Sequence, residues 1–167
     1  MCRLHMKTFG TTQRQIAAVC AKNHTHSVHN PWSQFRKPFT IDEVLASPPI
    51  TYPITLPMCA PLSDGAAAAI LCTEEGLKRI GADKSRCIKI SASVLRSFSP
   101  RRIDQPELHV GRLAAQQAYE IAGLGPQDMH VAEVHDASAM GEIIQAENLG
   151  LVELGMGGPA AERGEFT

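Results

Sequence analysis

His135 and Asp136 are adjacent polar residues that follow the apolar segment VAEV, residues 131–134. We predict a buried strand over 129–134 and a helix after Asp136, which places the pair at the carboxyl end of a strand. In parallel α/β sheets ligands bind at that end, where helix N-termini also point. A neutral imidazole there can donate an N–H to a carbonyl oxygen that becomes negative, while Asp136 can cap the helix or hold the other ring nitrogen. By position alone, a strand end followed by a helix cap is the commoner interpretation.

The amino-acid composition favours a single compact domain. Hydrophobic residues make up 44% of the 167 residues and charged residues 20%, close to the average for globular proteins. The net charge of −1 and the aromatic content of 5% argue against a nucleic-acid partner. No apolar run approaches the roughly 18 residues of a membrane span. The first ten residues lack a signal-peptide core, so we expect a cytoplasmic location.

The cysteines and clustered histidines do not predict a structural metal site or a disulfide framework. The five cysteines are odd in number and form no C-x-x-C pair, which is typical of small apolar side chains in a reducing compartment. In the segment NHTHSVHN, His26 and His29 are i, i+3 neighbours on a helix. His24 lies about 200° around the same helix from His26, so the three imidazoles cannot meet at one ion.

Two capping boxes mark helix starts in the first third of the chain. Thr12 with Gln15 predicts a helix over 12–28, and Thr40 with Glu43 predicts a second, short helix. The following segment PPITYPITLP contains four prolines, which exclude a helix and favour extended backbone.

The remainder of the chain alternates between predicted strands and predicted helices. Strands are expected over 66–72, 87–95 and 129–134. Between and after them, helices are expected from Thr73 to Gly81, around 111–125, and from Ser138 to Gly150 with Met140, Ile143 and Ile144 facing inward. The order predicts an α/β fold: a layered structure with a parallel or mixed sheet and crossover helices, preceded by a helical segment.

Three blocks of sequence resemble the thiolase superfamily, specifically its lipid-transfer-protein-like branch of the sterol carrier type, which includes acetyl-CoA acetyltransferases. The segment KNHTHSVHNPWSQFRKPFTIDEVL is similar to the end of that family's loop domain. MCAPLSDGAAAAIL is similar to the last strand of its first core half, and VHDASAMGEIIQAENLGL to its His-Asp segment. The resemblance covers nearly the whole chain and implies a partial thiolase-like fold. It assigns 1–55 to the loop domain, 56–82 to the end of the first core half and 83–167 to the start of the second.

The resemblance also implies roles for four residues. His135 would polarise the oxygen of an acyl thioester during Claisen condensation or its reversal, and Asp136 would orient the turn that carries it. Arg36 and Lys37 would attract the phosphates of coenzyme A, which is a substrate here and not a covalently bound cofactor. Solvated surface charge is the commoner fate of such basic residues.

The family's nucleophile is not among the residues of this sequence. Thiolase chemistry requires a nucleophilic cysteine and a Gly-His-Pro histidine, and neither motif occurs in the 167 residues. The resemblance places the cysteine upstream of residue 1 and the histidine downstream of residue 167. Because covalent acyl transfer needs the nucleophile and its base within hydrogen-bond reach, we expect no thiolase turnover from this chain alone.

The expected function is therefore that of a fragment of a thiolase-type acyl-CoA acyltransferase in lipid metabolism. One alternative is a non-thiolytic lipid-transfer or retro-aldol lyase relative that binds CoA thioesters together with a small acyl-CoA-binding partner protein. A non-catalytic remnant is the other. In each case exposed apolar faces favour a homo-oligomer.

Overall fold

Helices are the main regular secondary structure over residues 1–166, which this computed structural model describes. Seven α-helices and one two-stranded sheet are joined by loops and short 3₁₀ turns. No helix in the described chain is long and apolar enough to cross a lipid bilayer. The helices are α1 (Cys2–Phe9), α2 (Gln13–Ser27), α3 (Ile41–Ala46), α4 (Glu74–Ile80), α5 (Val110–Ala122), α6 (Ala139–Asn148) and α7 (Gly157–Glu162), and the strands are β1 (Pro49–Thr51) and β2 (Ile54–Thr55).

Both predicted capping boxes are confirmed. The Thr12 hydroxyl accepts a hydrogen bond from the Gln15 amide at 3.2 Å, and the Gln15 side chain accepts one from the Thr12 amide at 3.0 Å. Thr40 and Glu43 make the same reciprocal pair at the start of α3. These bonds satisfy backbone donors that a helix start leaves without partners.

The predicted starts and stops of later helices are also confirmed. Thr73 caps α4, whose end at Gly81 requires a left-handed backbone with φ of 64°. Helix α5 ends in the same way at Gly123, with φ of 67°. Glycine adopts this conformation without the steric cost that a Cβ atom imposes.

The hydrophobic core lies between α2, α3, β2 and α6. Helix α2 packs against α3, α6 and α7. Met140 and Ile143 of α6 are fully buried, as predicted, and Ile144 is partly buried against the same core. The α2 residues in this core are Ile16, Ala17, Val19, Cys20 and Ala21.

The prediction of a parallel or mixed sheet is wrong for the described chain. The sheet that forms is the antiparallel pair β1–β2, and the segments 66–72, 87–95 and 129–134 belong to no helix or sheet. A strand requires a hydrogen-bonded neighbour, and these three segments have none within residues 1–166. Their apolar side chains are therefore exposed: Ile88 is 90% exposed and Val131 86%.

Candidate functional site

A large cleft lies between α2, the loop that precedes α3, and the segment 129–134. Its volume is about 1350 Å³. Apolar and aromatic side chains form much of its wall, and the carboxylates of Asp136 and Glu142 also line it. Such a mixture of apolar surface and a few polar groups is typical of small-molecule sites.

Asp136 belongs to a cluster of four polar side chains that connects α2 to α6. The Asn23 amide nitrogen donates to Asp136 Oδ2 at 3.2 Å and to Glu142 Oε2 at 2.9 Å. The Lys22 ammonium pairs with Glu142 Oε1 at 2.6 Å. Sequence reasoning identified Asp136 but missed Lys22, Asn23 and Glu142. The nearest signal was the Lys-Asn-His triplet in the first block that resembles the thiolase family.

The surroundings of Asp136 raise the pKa of its carboxyl. Burial raises the pKa of this carboxyl above its ordinary value, and the negative charge of Glu142 raises it further. Lys22 and His135 act in the opposite direction and lower the pKa, but they do not cancel the rise. A carboxyl with a perturbed pKa at a cleft is a candidate for a functional group.

Replacing Asp136 by asparagine is expected to stabilise the protein at neutral pH. Because the folded state raises the pKa of Asp136, this residue's favourable contribution exists below its ordinary pKa and is lost as the pH rises through the folded value. Asparagine avoids the cost of burying a charge and can still accept the Asn23 hydrogen bond. Thermal melts should show a higher Tm for Asp136→Asn at pH 7 and a difference that shrinks towards pH 3. A matched Asp42→Asn change, on the exposed surface of α3, should show no such pH-dependent gain; equal melts at pH 7 would contradict this account.

His135 lies beside the cleft with its side chain exposed. Its neighbours Val134 and Asp136 both line the cleft. The turn is tied to the chain by a hydrogen bond from the Ala60 amide to the Ala137 carbonyl at 3.0 Å. Asp136 does not cap α6, because Ser138 occupies the N-cap position. The role of His135 as an oxyanion donor remains a prediction.

Arg36 and Lys37 lie on the exposed loop before α3. The Lys37 ammonium is 5.6 Å from the centroid of the Phe39 ring, and Phe39 lines the cleft. Lys37 is thus close to the cleft wall, and Arg36 follows Phe35, which lines the cleft. Their role in binding coenzyme A remains a prediction.

The clustered histidines do not form a metal centre in the described residues. His26 and His29 are exposed, and His24 packs edge-on against Phe39 with ring centroids 4.8 Å apart. His24 Nε2 lies 3.4 Å from the Pro57 carbonyl oxygen, and its buried Nδ1 has no partner within the described chain. No group of three metal-ligating side chains comes together in residues 1–166.

Cys20, one of two cysteines that line the cleft, is held as a neutral thiol. Cys20 is buried and donates from Sγ to the Pro57 carbonyl at 3.1 Å. Burial, followed by the nearby Cys59, raises the pKa of Cys20 to about 12. Since the thiolate is the nucleophilic form, Cys20 is not suited to attack a thioester.

Comparison with known proteins supports the resemblance to the thiolase superfamily. A thiolase C-terminal domain-like family model matches residues 98–167. The chain is 39% identical to sterol carrier protein 2 of Oryctolagus cuniculus, with 98% of this chain and 31% of that protein aligned. It is 38% identical to an acetyl-CoA acetyltransferase of Methanothermobacter thermautotrophicus, with 98% of this chain and 43% of that protein aligned.

A solved structure shows the same fold. The chain superposes on a chain of the Ltp2-ChsH2(DUF35) aldolase with a TM-score of 0.70 and 22% identity, over 97% of this chain and 44% of that one. The 167 residues thus span between 31% and 44% of the length of these three proteins. Together these matches support a thiolase-superfamily chain of the sterol carrier protein 2 type.

Proposed function

We propose that the chain forms part of the acyl-CoA site of a thiolase-type acyltransferase of lipid metabolism. A thiolate attacks the thioester carbonyl carbon, the oxygen becomes negative, and the C–S bond to coenzyme A then breaks; the released sulfur takes up a proton. His135 donates an N–H to the oxygen as its charge develops, and Asp136 orients the turn that carries this imidazole. The family resemblance assigns the attacking cysteine to polypeptide beyond these 167 residues.

The observation that carries this proposal is the position of the His135–Asp136 turn at the edge of the cleft. The cleft volume of about 1350 Å³ exceeds the roughly 300–1,000 Å³ of common small-molecule sites, so an acyl-pantetheine arm can be accommodated. Its apolar wall, which includes Phe39 and Met58, suits an acyl chain. Lys37, beside Phe39, is placed to attract a phosphate of coenzyme A, with Arg36 adding to the local positive charge.

One observation favours a second candidate function, a non-thiolytic lyase or lipid carrier. The titratable groups that line the cleft include the carboxylates Asp136 and Glu142, while the thiol of Cys20 is neutral. Carboxylates can move protons in carbon–carbon bond cleavage without a cysteine thioester. The solved relative is itself described as an aldolase formed by Ltp2 with ChsH2(DUF35), which supports a second protein as partner in this alternative.

Neutralising Arg36 and Lys37 together, each to glutamine, is expected to weaken binding of acetyl-CoA several-fold. The same change should leave acetyl-pantetheine binding unaltered, because that fragment lacks the nucleotide phosphates. Isothermal titration calorimetry of the 167-residue chain at two salt concentrations measures both binding affinities. Added salt should weaken the binding of acetyl-CoA more than that of acetyl-pantetheine.

The matched control is the exposed basic pair Lys78 and Arg79 on α4, replaced in the same way. This control should bind both ligands as the wild type does. Failure of the wild-type chain to bind either ligand would overturn the proposed site, and equal weakening by both double variants would show non-specific attraction by net charge.

A further inference from the structure

We infer that Asn23 is a positioning residue that holds the His135–Asp136 turn against α2. The inference rests on the proposed function, since the turn matters to catalysis only if an acyl thioester binds beside it. Asn23 lies 113 residues from Asp136 in sequence and reaches it by a direct side-chain hydrogen bond. No motif in the sequence links the two residues.

The chemistry of the cluster fixes the orientation of the Asn23 amide. Ionised carboxylates only accept hydrogen bonds, so the NH₂ group of Asn23, with its two hydrogens, faces Asp136 and Glu142. One amide nitrogen thereby binds both acidic side chains, at 3.2 Å and 2.9 Å. Two neighbouring carboxylates repel each other, and a shared donor offsets part of that repulsion.

Asn23 acts from a rigid base. It lies on α2, whose residues Ile16 and Val19 are fully buried in the core. Glu142 lies on the first turn of α6 and is 8% exposed, so its position is fixed by burial and by the Lys22 ammonium. Asp136, in contrast, lies in the loop before α6. The Asn23 hydrogen bond therefore links a carboxylate on a loop to one that is held on a helix.

The contact is not needed to join the two helices. Helices α2 and α6 already pack through apolar side chains, including Ile16, Val19, Met140 and Ile143. The Lys22–Glu142 pair provides a second polar link between them. An Asn23→Ala chain should therefore fold, with a turn that has lost its side-chain anchor.

Charged groups face Asp136 from each neighbouring element. Glu142 lies on α6, Lys22 on α2, and His135 on the turn itself. Glu165, after α7, lines the same cleft. Because Asn23 stabilises the ionised form of Asp136, its removal should raise the pKa of that carboxyl and move any pH-dependent ligand binding towards higher pH.

The test compares Asn23→Ala with Gln13→Ala in the 167-residue chain. Gln13 is a matched control because it is also a carboxamide on α2 and donates to a distant group, the Pro53 carbonyl, at 2.8 Å. Asn23→Ser is a partial rescue, because its hydroxyl can serve only one carboxylate. Two readouts are needed: hydrogen–deuterium exchange of residues 133–138 without ligand, and the infrared carbonyl band of bound [1-¹³C]acetyl-CoA.

We expect Asn23→Ala to exchange faster in residues 133–138 and to shift the carbonyl band less than the wild type does. Asn23→Ser should be intermediate in both readouts, and Gln13→Ala should match the wild type in both readouts. NMR titration should show a higher Asp136 pKa in Asn23→Ala. If exchange and the Asp136 pKa are both unchanged in Asn23→Ala, the positioning role is wrong, regardless of the carbonyl band of bound acetyl-CoA. A different result would contradict the proposed function but support the positioning role of Asn23. In that case the wild-type chain would not shift the carbonyl band of acetyl-CoA, while exchange would still be faster in Asn23→Ala.

Discussion

Replacing Glu147 by alanine is expected to lower the free energy of unfolding by about 2–6 kcal/mol, because two buried donors each lose their acceptor at a cost of about 1–3 kcal/mol. Glu147 is 2% exposed. Its Oε2 accepts from His5 Nε2 at 3.0 Å, and its Oε1 accepts from the Gly157 amide at 3.0 Å. Alanine leaves both donors buried without an acceptor.

This network joins three helices that are distant in sequence. His5 lies on α1, Glu147 on α6 and Gly157 at the start of α7. Because a carboxylate only accepts, His5 carries its proton on Nε2, and Nδ1 faces the hydroxyl of the buried Thr11 at 2.9 Å. Loss of Glu147 should therefore loosen α1 and α7 together.

Urea unfolding measured by circular dichroism tests this prediction. Glu153→Ala, an exposed glutamate beyond α6, is the control and should stay within about 0.5 kcal/mol of the wild type. Glu147→Gln should be intermediate, because its amide oxygen can still accept from Gly157 while His5 can change tautomer to accept from the amide nitrogen. A cost for Glu147→Ala no larger than that for Glu153→Ala would contradict the network's role.

Replacing His135 by alanine is expected to abolish most of the polarisation of a bound thioester carbonyl. A positioned donor to a developing oxyanion is worth about 2.7–4 kcal/mol in catalysis, and in the ground state the same hydrogen bond lowers the carbonyl stretching frequency. Difference infrared spectroscopy of bound [1-¹³C]acetyl-CoA measures this directly and needs no turnover. The band should return towards its position in free acetyl-CoA in the variant.

His29→Ala is the matched control, since His29 is also an exposed imidazole but lies beyond the end of α2. It should leave the carbonyl band where the wild type places it. If His135→Ala binds acetyl-CoA with an unaltered band, the oxyanion role belongs to another donor.

The helices could be predicted from sequence because their signals are local. Thr40 and Glu43 are three residues apart, and the cap they form depends on nothing more distant. The same is true of Gly81 at the end of α4. The sheet could not be predicted in this way, since the alternation in residues 87–95 describes a side-chain pattern but supplies no neighbouring strand. Whether such a segment forms a ladder depends on partners elsewhere.

The candidate site shows the same division between local and distant information. His135 and Asp136 are adjacent, and their position before α6 was visible in the sequence. Their supporting residue Asn23 was not, because hydrogen bonds that span 113 and 119 residues leave no periodic signal. Lys22 and Asn23 are neighbours on α2, a helix that was predicted mainly from its apolar face. Polar residues on the other faces of such a helix are expected to be solvated.

The most direct test of the central claim is an NMR measurement of where the acyl group binds. In a complex of the 167-residue chain with [2-¹³C]acetyl-CoA, intermolecular NOEs from the acetyl methyl protons identify the residues in contact. We expect NOEs to the His135 ring and to cleft side chains such as Val134. NOEs confined to surface residues away from the cleft, with the resonances of residues 133–136 unmoved by ligand, would contradict it.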